Sequence, residues 1–223
     1  MGPNARDKEA LVALFGDYCN LLTITDFKAQ YQNHQTKTEY SPERLNGQHY
    51  TWPQIESHTE HYQNWLPTLC ALANPKVVVE TGVDSGLSTA MLLKAKPDTL
   101  YSIDCSFETD DDIVQQVDWL NIVPTNEIHN RLIPIAEMSQ TVLPKLNFSA
   151  HRPLDLFLHD SDHSYECQSF EYTWAWKTLR PGGLLCSDDY TWGDGRAWKE
   201  LVTAAEQPWY ALGAMAVIRK PGH

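Results

Sequence analysis

Lys76-Val77-Val78-Val79-Glu80-Thr81-Gly82-Val83-Asp84-Ser85-Gly86-Leu87-Ser88, residues 76–88, is the stretch on which the fold turns. Its valines form an apolar run without alternation, the pattern of a strand buried on both faces. Glycines at 82 and 86 allow a tight turn and a close backbone approach to a ligand, although they suit any strand–helix turn as well. A helix expected over Leu87–Lys96, stopped by Pro97, would present its free N–H groups to that ligand. A strand, a glycine turn and a helix open a parallel βαβ unit.

Working outward, the same alternation continues to the end of the chain. Thr99 to Asp104 reads as a second strand and Asp110 to Asn121 as a helix with a charged first turn. Leu132 to Ala136 reads as a third strand, followed by a short helix over Ser139–Leu146. Leu154 to Leu158 is the fourth strand. Tyr165 to Leu179 is helical and stops at Pro181-Gly182-Gly183. Leu184 to Ser187 is the fifth strand, Gly195 to Glu206 a helix, and Trp209 to Leu212 with Met215 to Arg219 a closing hairpin about Gly213. Strands alternating with helices predict an α/β protein with a doubly wound, mostly parallel sheet over residues 75–223 and an antiparallel C-terminal hairpin. Residues 1–74 read as an N-terminal helical extension. It holds an amphipathic helix over Lys8–Tyr18, a polar stretch over 26–64 that cannot build its own core, and a helix from Pro53 to about Ala73.

Composition narrows the partners. The 223 residues carry 17 Lys plus Arg against 29 Asp plus Glu, a net charge of −12. That balance argues against a nucleic-acid binder or a protein held on anionic lipid. Five scattered cysteines without a CxxC pair make a disulfide framework or zinc site improbable. No apolar run approaches a membrane span. The charged start, Met1 to Glu9, lacks the apolar core of a secretory signal, so the expectation is a cytoplasmic protein.

Ligands in doubly wound sheets sit at the carboxyl ends of the strands, which ranks the candidates. Asp104 ends the second strand, 22 residues after Gly82, near the spacing of an acid that takes ribose hydroxyls. An Asp there could equally cap the next helix. The GxxxG spacing, with Asp84 where a dinucleotide loop has its second glycine, disfavours a pyrophosphate and suits a cofactor bearing a sulfonium or ammonium charge. The fourth strand ends His159-Asp160-Ser161-Asp162-His163, and the fifth ends Ser187-Asp188-Asp189-Tyr190. Carboxylates gathered on neighbouring strands call for a cation between them, and hard oxygen ligands indicate Mg²⁺, Mn²⁺ or Ca²⁺ rather than zinc. Each pair alone would also serve as helix caps. Clustered His and Asp further fit a metal-dependent hydrolase, but that reading leaves the glycine turn and Asp104 without purpose.

Glu80-x-Gly82-xxx-Gly86-x-Ser88, Tyr101-Ser102-Ile103-Asp104, the run from Leu154 to Glu166, and the run from Leu179 to Tyr190 together resemble a class I S-adenosylmethionine-dependent methyltransferase. Within that class the chain is similar to the metal-dependent small-molecule O-methyltransferases of the macrocin O-methyltransferase and cephalosporin hydroxylase types, over about residues 76–219. The resemblance implies a Rossmann-like methyltransferase sheet and transfer of a methyl group to a hydroxyl of a small molecule such as a sugar, polyketide or phenol. Glu80, Gly82, Gly86 and Ser88 would line the methionine part of S-adenosylmethionine. Asp104 would bind its ribose, and Met138 and Ser139 would frame its adenine. Asp160, Asp188 and Asp189 match metal-binding carboxylates for Mg²⁺ or Mn²⁺, and His163 matches a general base. Tyr190 and Trp192 would wall the acceptor pocket or simply pack in the core. His159 and Ser161 depart from the family, which has an apolar residue and a glycine there. A non-catalytic S-adenosylmethionine-binding protein and a nicotinamide oxidoreductase are the other readings, and a homo-oligomer is compatible with all of them.

Overall fold

Val77, Val78 and Val79 are all buried because the sheet that they enter is covered on both sides. The computed structural model describes Leu66, Leu69, Cys70 and residues 73–212 and 214–222. Its strands are β1 (Val77–Thr81), β2 (Thr99–Ile103), β3 (Leu132–Ile135), β4 (Leu154–His159), β5 (Leu179–Ser187), β6 (Trp209–Leu212) and β7 (Met215–Arg219). Its helices are α1 (Leu87–Lys94), α2 (Asp110–Trp119), α3 (Thr125–Arg131), α4 (Ser139–Val142), α5 (Tyr165–Thr178) and α6 (Arg196–Ala205). The strands form one sheet in the order β3-β2-β1-β4-β5-β7-β6. The β1–β2, β2–β3, β1–β4 and β4–β5 pairs are parallel, and β7 runs antiparallel to both β5 and β6. The expected doubly wound sheet and its closing hairpin are therefore present.

The strand period of two explains the valine run. Val78, with Leu100, Leu156 and Leu158, packs in one layer with the apolar residues of α1 and α2. Val77, Val79, Phe157 and Leu185 pack in the other, with Tyr172 of α5 and Trp198 of α6. Chain order reverses between β1 and β4, which opens a crevice at their carboxyl ends.

Three local features differ from the expectation. β5 begins at Leu179, so Pro181-Gly182-Gly183 lies within a strand rather than ahead of one. Leu179 pairs with Leu154 before a register shift, and Gly183 lets the backbone pass the Asp155 carbonyl, where a Cβ would meet its oxygen at 3.0 Å. α3 follows Pro124 and was not legible, because Ile128 is its one buried residue and no apolar period marks it. The expected helix over Ser139–Leu146 divides into α4 and a 3₁₀ turn, Leu143–Lys145, with Pro144 in the turn's first positions. Asp110 to Asp112 form the charged first turn as expected. Asp112 accepts the Thr109 amide at 2.9 Å in a capping box. Leu66, Leu69, Cys70 and Ala73 are helical and support the end of the helix expected from Pro53. The helix over Lys8–Tyr18 and the stretch over 26–64 lie outside the described residues.

Candidate active site at the carboxyl edge of the sheet

A cleft of about 230 Å³ opens at the crevice and is lined by Gly82, Asp104, Met138, Ser139, Asp160 and Asp162, among others. Among the described residues, five carboxylates line it, Asp84, Asp104, Glu137, Asp160 and Asp162, with no Lys or Arg. Such a wall favours a cationic ligand. Gly82 has φ +84°, and a Cβ there would sit 1.9 Å from the Asp160 carbonyl oxygen. Only glycine lets the turn after β1 lie this close to the end of β4. Gly86 serves differently. A Cβ there would meet the Gln116 carbonyl oxygen and Val117 of α2 at 3.3 Å.

Asp104 organises the turn itself. Its Oδ2 accepts the amides of Val83 at 2.8 Å and Asp84 at 3.0 Å, and its Oδ1 accepts that of Ser106 at 2.8 Å. A carboxylate offers about four acceptor positions, so capacity remains toward the cleft. Glu80 lies beneath, fully buried. Its Oε2 accepts Thr89 Oγ1 at 2.6 Å and Ser102 Oγ at 2.8 Å, while Oε1 has no partner among the described residues. Burial drives its pKa up to about 7 against the hydrogen bonds of Ser88, Thr89 and Ser102, and Asp104 adds to the rise. Ser88 is buried within α1. Of the predicted cofactor residues, Gly82, Asp104, Met138 and Ser139 thus line the cleft, whereas Glu80, Gly86 and Ser88 stand behind its wall.

At the far end, Asp160, His163 and Asp188 bring one ligand atom each within 4.8 Å of one another. The cluster keeps two of the three predicted carboxylates and includes the predicted base. Asp189 sits beside it, with Oδ2 3.5 Å from His163 Nε2 and a positive φ of 43°. Asp162 instead caps the turn into α5, accepting Ser164 Oγ at 2.7 Å. Two carboxylates and an imidazole, all partly buried, fit a divalent cation by donor type and spacing. His163 Nδ1 is buried with no partner among the described residues. Trp192, 61% exposed, stands edge-on to the His163 ring at 5.8 Å. Tyr190 packs with Trp198 and Trp209 in an aromatic cluster.

Sequence reasoning missed Glu171. It is fully buried on α5, 90 residues from Thr81, whose Oγ1 it accepts at 2.6 Å. It also binds His159 Nδ1 at 2.6 Å and Ser161 Oγ at 2.8 Å. Burial alone would raise the Glu171 carboxyl, but the bond and charge of His159 and the hydroxyl donors outweigh it and hold it below the ordinary range.

The fold is that of the class I, S-adenosylmethionine-dependent methyltransferases. The match to known families agrees: the methyltransferase-domain family covers residues 79–190, half of the chain, and the chain belongs to it. Among solved structures, the chain is similar to the O-methyltransferase TomG from Streptomyces achromogenes, involved in tomaymycin synthesis and solved in complex with S-adenosylmethionine. The identity is 14%, the TM-score 0.57, and the match covers 97% of this chain and 96% of that one. It is also similar to an O-methyltransferase from Bacillus cereus in complex with S-adenosylhomocysteine. There the identity is 16%, the TM-score 0.57, and the coverage 95% and 97%. No curated protein matches the chain. No helix among the described residues is long and apolar enough to cross a membrane.

Proposed function

We propose that the protein moves a methyl group from S-adenosylmethionine to a hydroxyl of a small molecule, with a divalent cation, Mg²⁺ or Mn²⁺, at the acceptor end of the cleft. Residues 75–223 form the catalytic domain on this reading and residues 1–74 its extension. The observation that carries it is the placement of Asp160: it lines the acidic cleft and also belongs to the cluster with His163 and Asp188. One residue therefore joins the cofactor region to the acceptor region. The oxygen acceptor, the small-molecule class and the cation are supported by the donor set and by the names of the two similar enzymes.

Each residue then has a task. The turn at Gly82 and the Asp104 carboxylate hold the cofactor against the end of β1, and Met138 and Ser139 border its base. The acidic lining favours the sulfonium form over its neutral product. Asp160, Asp188 and Asp189 would hold the cation, which when bound lowers the pKa of a coordinated hydroxyl. His163, whose Nε2 lies 3.5 Å from Asp189 Oδ2, would take the hydroxyl proton. Trp192 offers the acceptor a flat apolar wall. Alignment of the hydroxyl with the methyl group supplies much of the acceleration.

Methyl transfer from labelled S-adenosylmethionine to a panel of hydroxylated small molecules, with chelator and with added Mg²⁺ or Mn²⁺, tests the reading. Transfer is expected only with the cation. Full turnover in excess chelator removes the cation. Binding of S-adenosylmethionine without transfer to any acceptor favours a non-catalytic protein. His163→Ala is expected to keep cation binding and lose transfer. Loss of cation binding would make His163 a ligand rather than a base.

A further inference from the structure

His159 and Ser161 flank Asp160 in sequence, and both donate to the carboxylate of Glu171, at 2.6 Å to Oε2 and at 2.8 Å to Oε1. Thr81 Oγ1 at the end of β1 and Cys167 Sγ on α5 donate to the same carboxylate, at 2.6 and 3.4 Å. Glu171 thereby ties together the ends of β1 and β4 and the first turns of α5. The backbone around Asp160 is held from outside as well. Its amide donates to Thr81 O at 2.8 Å, and the Asp188 amide donates to His159 O at 2.9 Å.

An ionised carboxylate only accepts, so the proton between Glu171 and His159 belongs to Nδ1. His159 Nε2 is fully buried and without a partner among the described residues. The ring lies 5.4 Å from that of His163, at 44° between planes, and Tyr172 closes its other side edge-on at 5.2 Å. We propose that Glu171 is a positioning residue: it fixes the orientation of His159, and through His159 and Ser161 it sets the geometry in which Asp160 and His163 meet Asp188. The inference rests on the cation reading given above. Carboxylates that orient ligand-bearing segments contribute on the order of 10–100-fold to metal affinity.

The test compares the full-length wild type with Glu171→Gln, His159→Leu and the double variant. Long-range ¹⁵N spectra read the protonation of His159 Nδ1, and calorimetry reads affinity for Mn²⁺ and for S-adenosylmethionine. The wild type is expected to show Nδ1 protonated. Glu171→Gln is expected to lose that preference and to bind Mn²⁺ about 10–100-fold more weakly. Its affinity for S-adenosylmethionine, held chiefly from Gly82 and Asp104, should fall by much less than that for Mn²⁺, a split that general loosening of the fold would not produce. Because Glu171 acts partly through His159, the double variant should fall short of the product of the single losses. Should Glu171→Gln not fold, Ser161→Ala removes one donor from the half-buried loop and is expected to weaken Mn²⁺ binding. Unchanged Mn²⁺ affinity in folded variants, or losses that multiply fully, overturns the inference while leaving the cation reading intact. A wild type that binds no Mn²⁺ overturns the cation reading, and this inference with it.

Discussion

Replacing Gly82 with alanine puts the close approach between the ends of β1 and β4 to its most direct test. The new Cβ would lie 1.9 Å from the Asp160 carbonyl oxygen, 2.4 Å from its carbon and 2.8 Å from the Ser161 nitrogen. All three are backbone atoms, so no side chain can swing away. Relief to ordinary contact needs more than about 1 Å of movement, given that carbon–carbon contacts settle near 3.5–4.0 Å. The Asp160 amide is tied to Thr81 O, and Ser161 to Glu171, so both resist that movement. The positive φ of 84° adds about 1–2 kcal/mol for any L side chain, and overpacking about 1–3 kcal/mol more. Gly82→Ala is therefore expected to lose about 2–5 kcal/mol of stability in urea titration. A shift of the cleft wall worth 1.4 kcal/mol lowers affinity for S-adenosylmethionine about tenfold, and at least that loss is expected by calorimetry. Gly193→Ala is the matched control. Its φ is +56° but nothing among the described residues lies within 4 Å of a Cβ, so it carries only the backbone term and should leave cofactor binding unchanged. Equal losses in the two variants, with cofactor affinity preserved in both, would refute the steric reasoning.

Three further outcomes follow from the same structure. Glu80 has a folded pKa of about 7, above the roughly 4.3 of an unfolded glutamate, so the folded state binds the extra proton between those values. Its contribution is neutral below the unfolded value and grows more destabilising as pH rises to about 7. Urea titrations of wild type and Glu80→Gln should therefore diverge in favour of the variant from pH 5 to pH 8, and parallel curves would contradict the burial argument. Asp155 is buried on β4 and accepts the amides of Lys76 at 2.7 Å and Val77 at 2.8 Å together with the Arg180 guanidinium. Asp155→Ala strands these donors and is expected to cost about 2–4 kcal/mol by thermal or urea unfolding. Trp192→Ala should change stability by less than about 0.5 kcal/mol because the ring is exposed, while raising the KM for the acceptor and sparing that for S-adenosylmethionine.

Much of the fold was legible because short-range rules govern it. The unalternating valines, the glycine turn and the stops at Pro97 and Asn74-Pro75 are local signals, and the strands and the hairpin lie within a few residues of the positions that they predict. α3 was not legible because a single buried Ile128 makes no period. α5 was legible as a helix but not as the carrier of a buried acid. Its inner face buries Gln168 and Glu171 beside Tyr172, which blurs any apolar stripe. The site shows the same division. Asp104, Asp160 and Asp188 stand at strand ends, where the rule for doubly wound sheets directs attention. Nothing local indicates that Glu171 reaches Thr81, His159 and Ser161, or that His163 joins Asp160 and Asp188.

The sequence by itself determined the class of the fold, the sheet edge that carries the chemistry, and the acidic character of the cleft. These depend on the order of residues along single elements, where periodicity, turns and charge are read directly. Only the tertiary structure decided which acids share a site and which hold the scaffold. Asp155 binds backbone 78 residues away, and Glu171 binds Thr81 at a separation of 90. Pairings at that range depend on strand order and register, which packing of both sheet faces settles and no local pattern encodes. A buried carboxylate is tolerated only where several donors converge on it, and that convergence exists only once β1, β4 and α5 have come together.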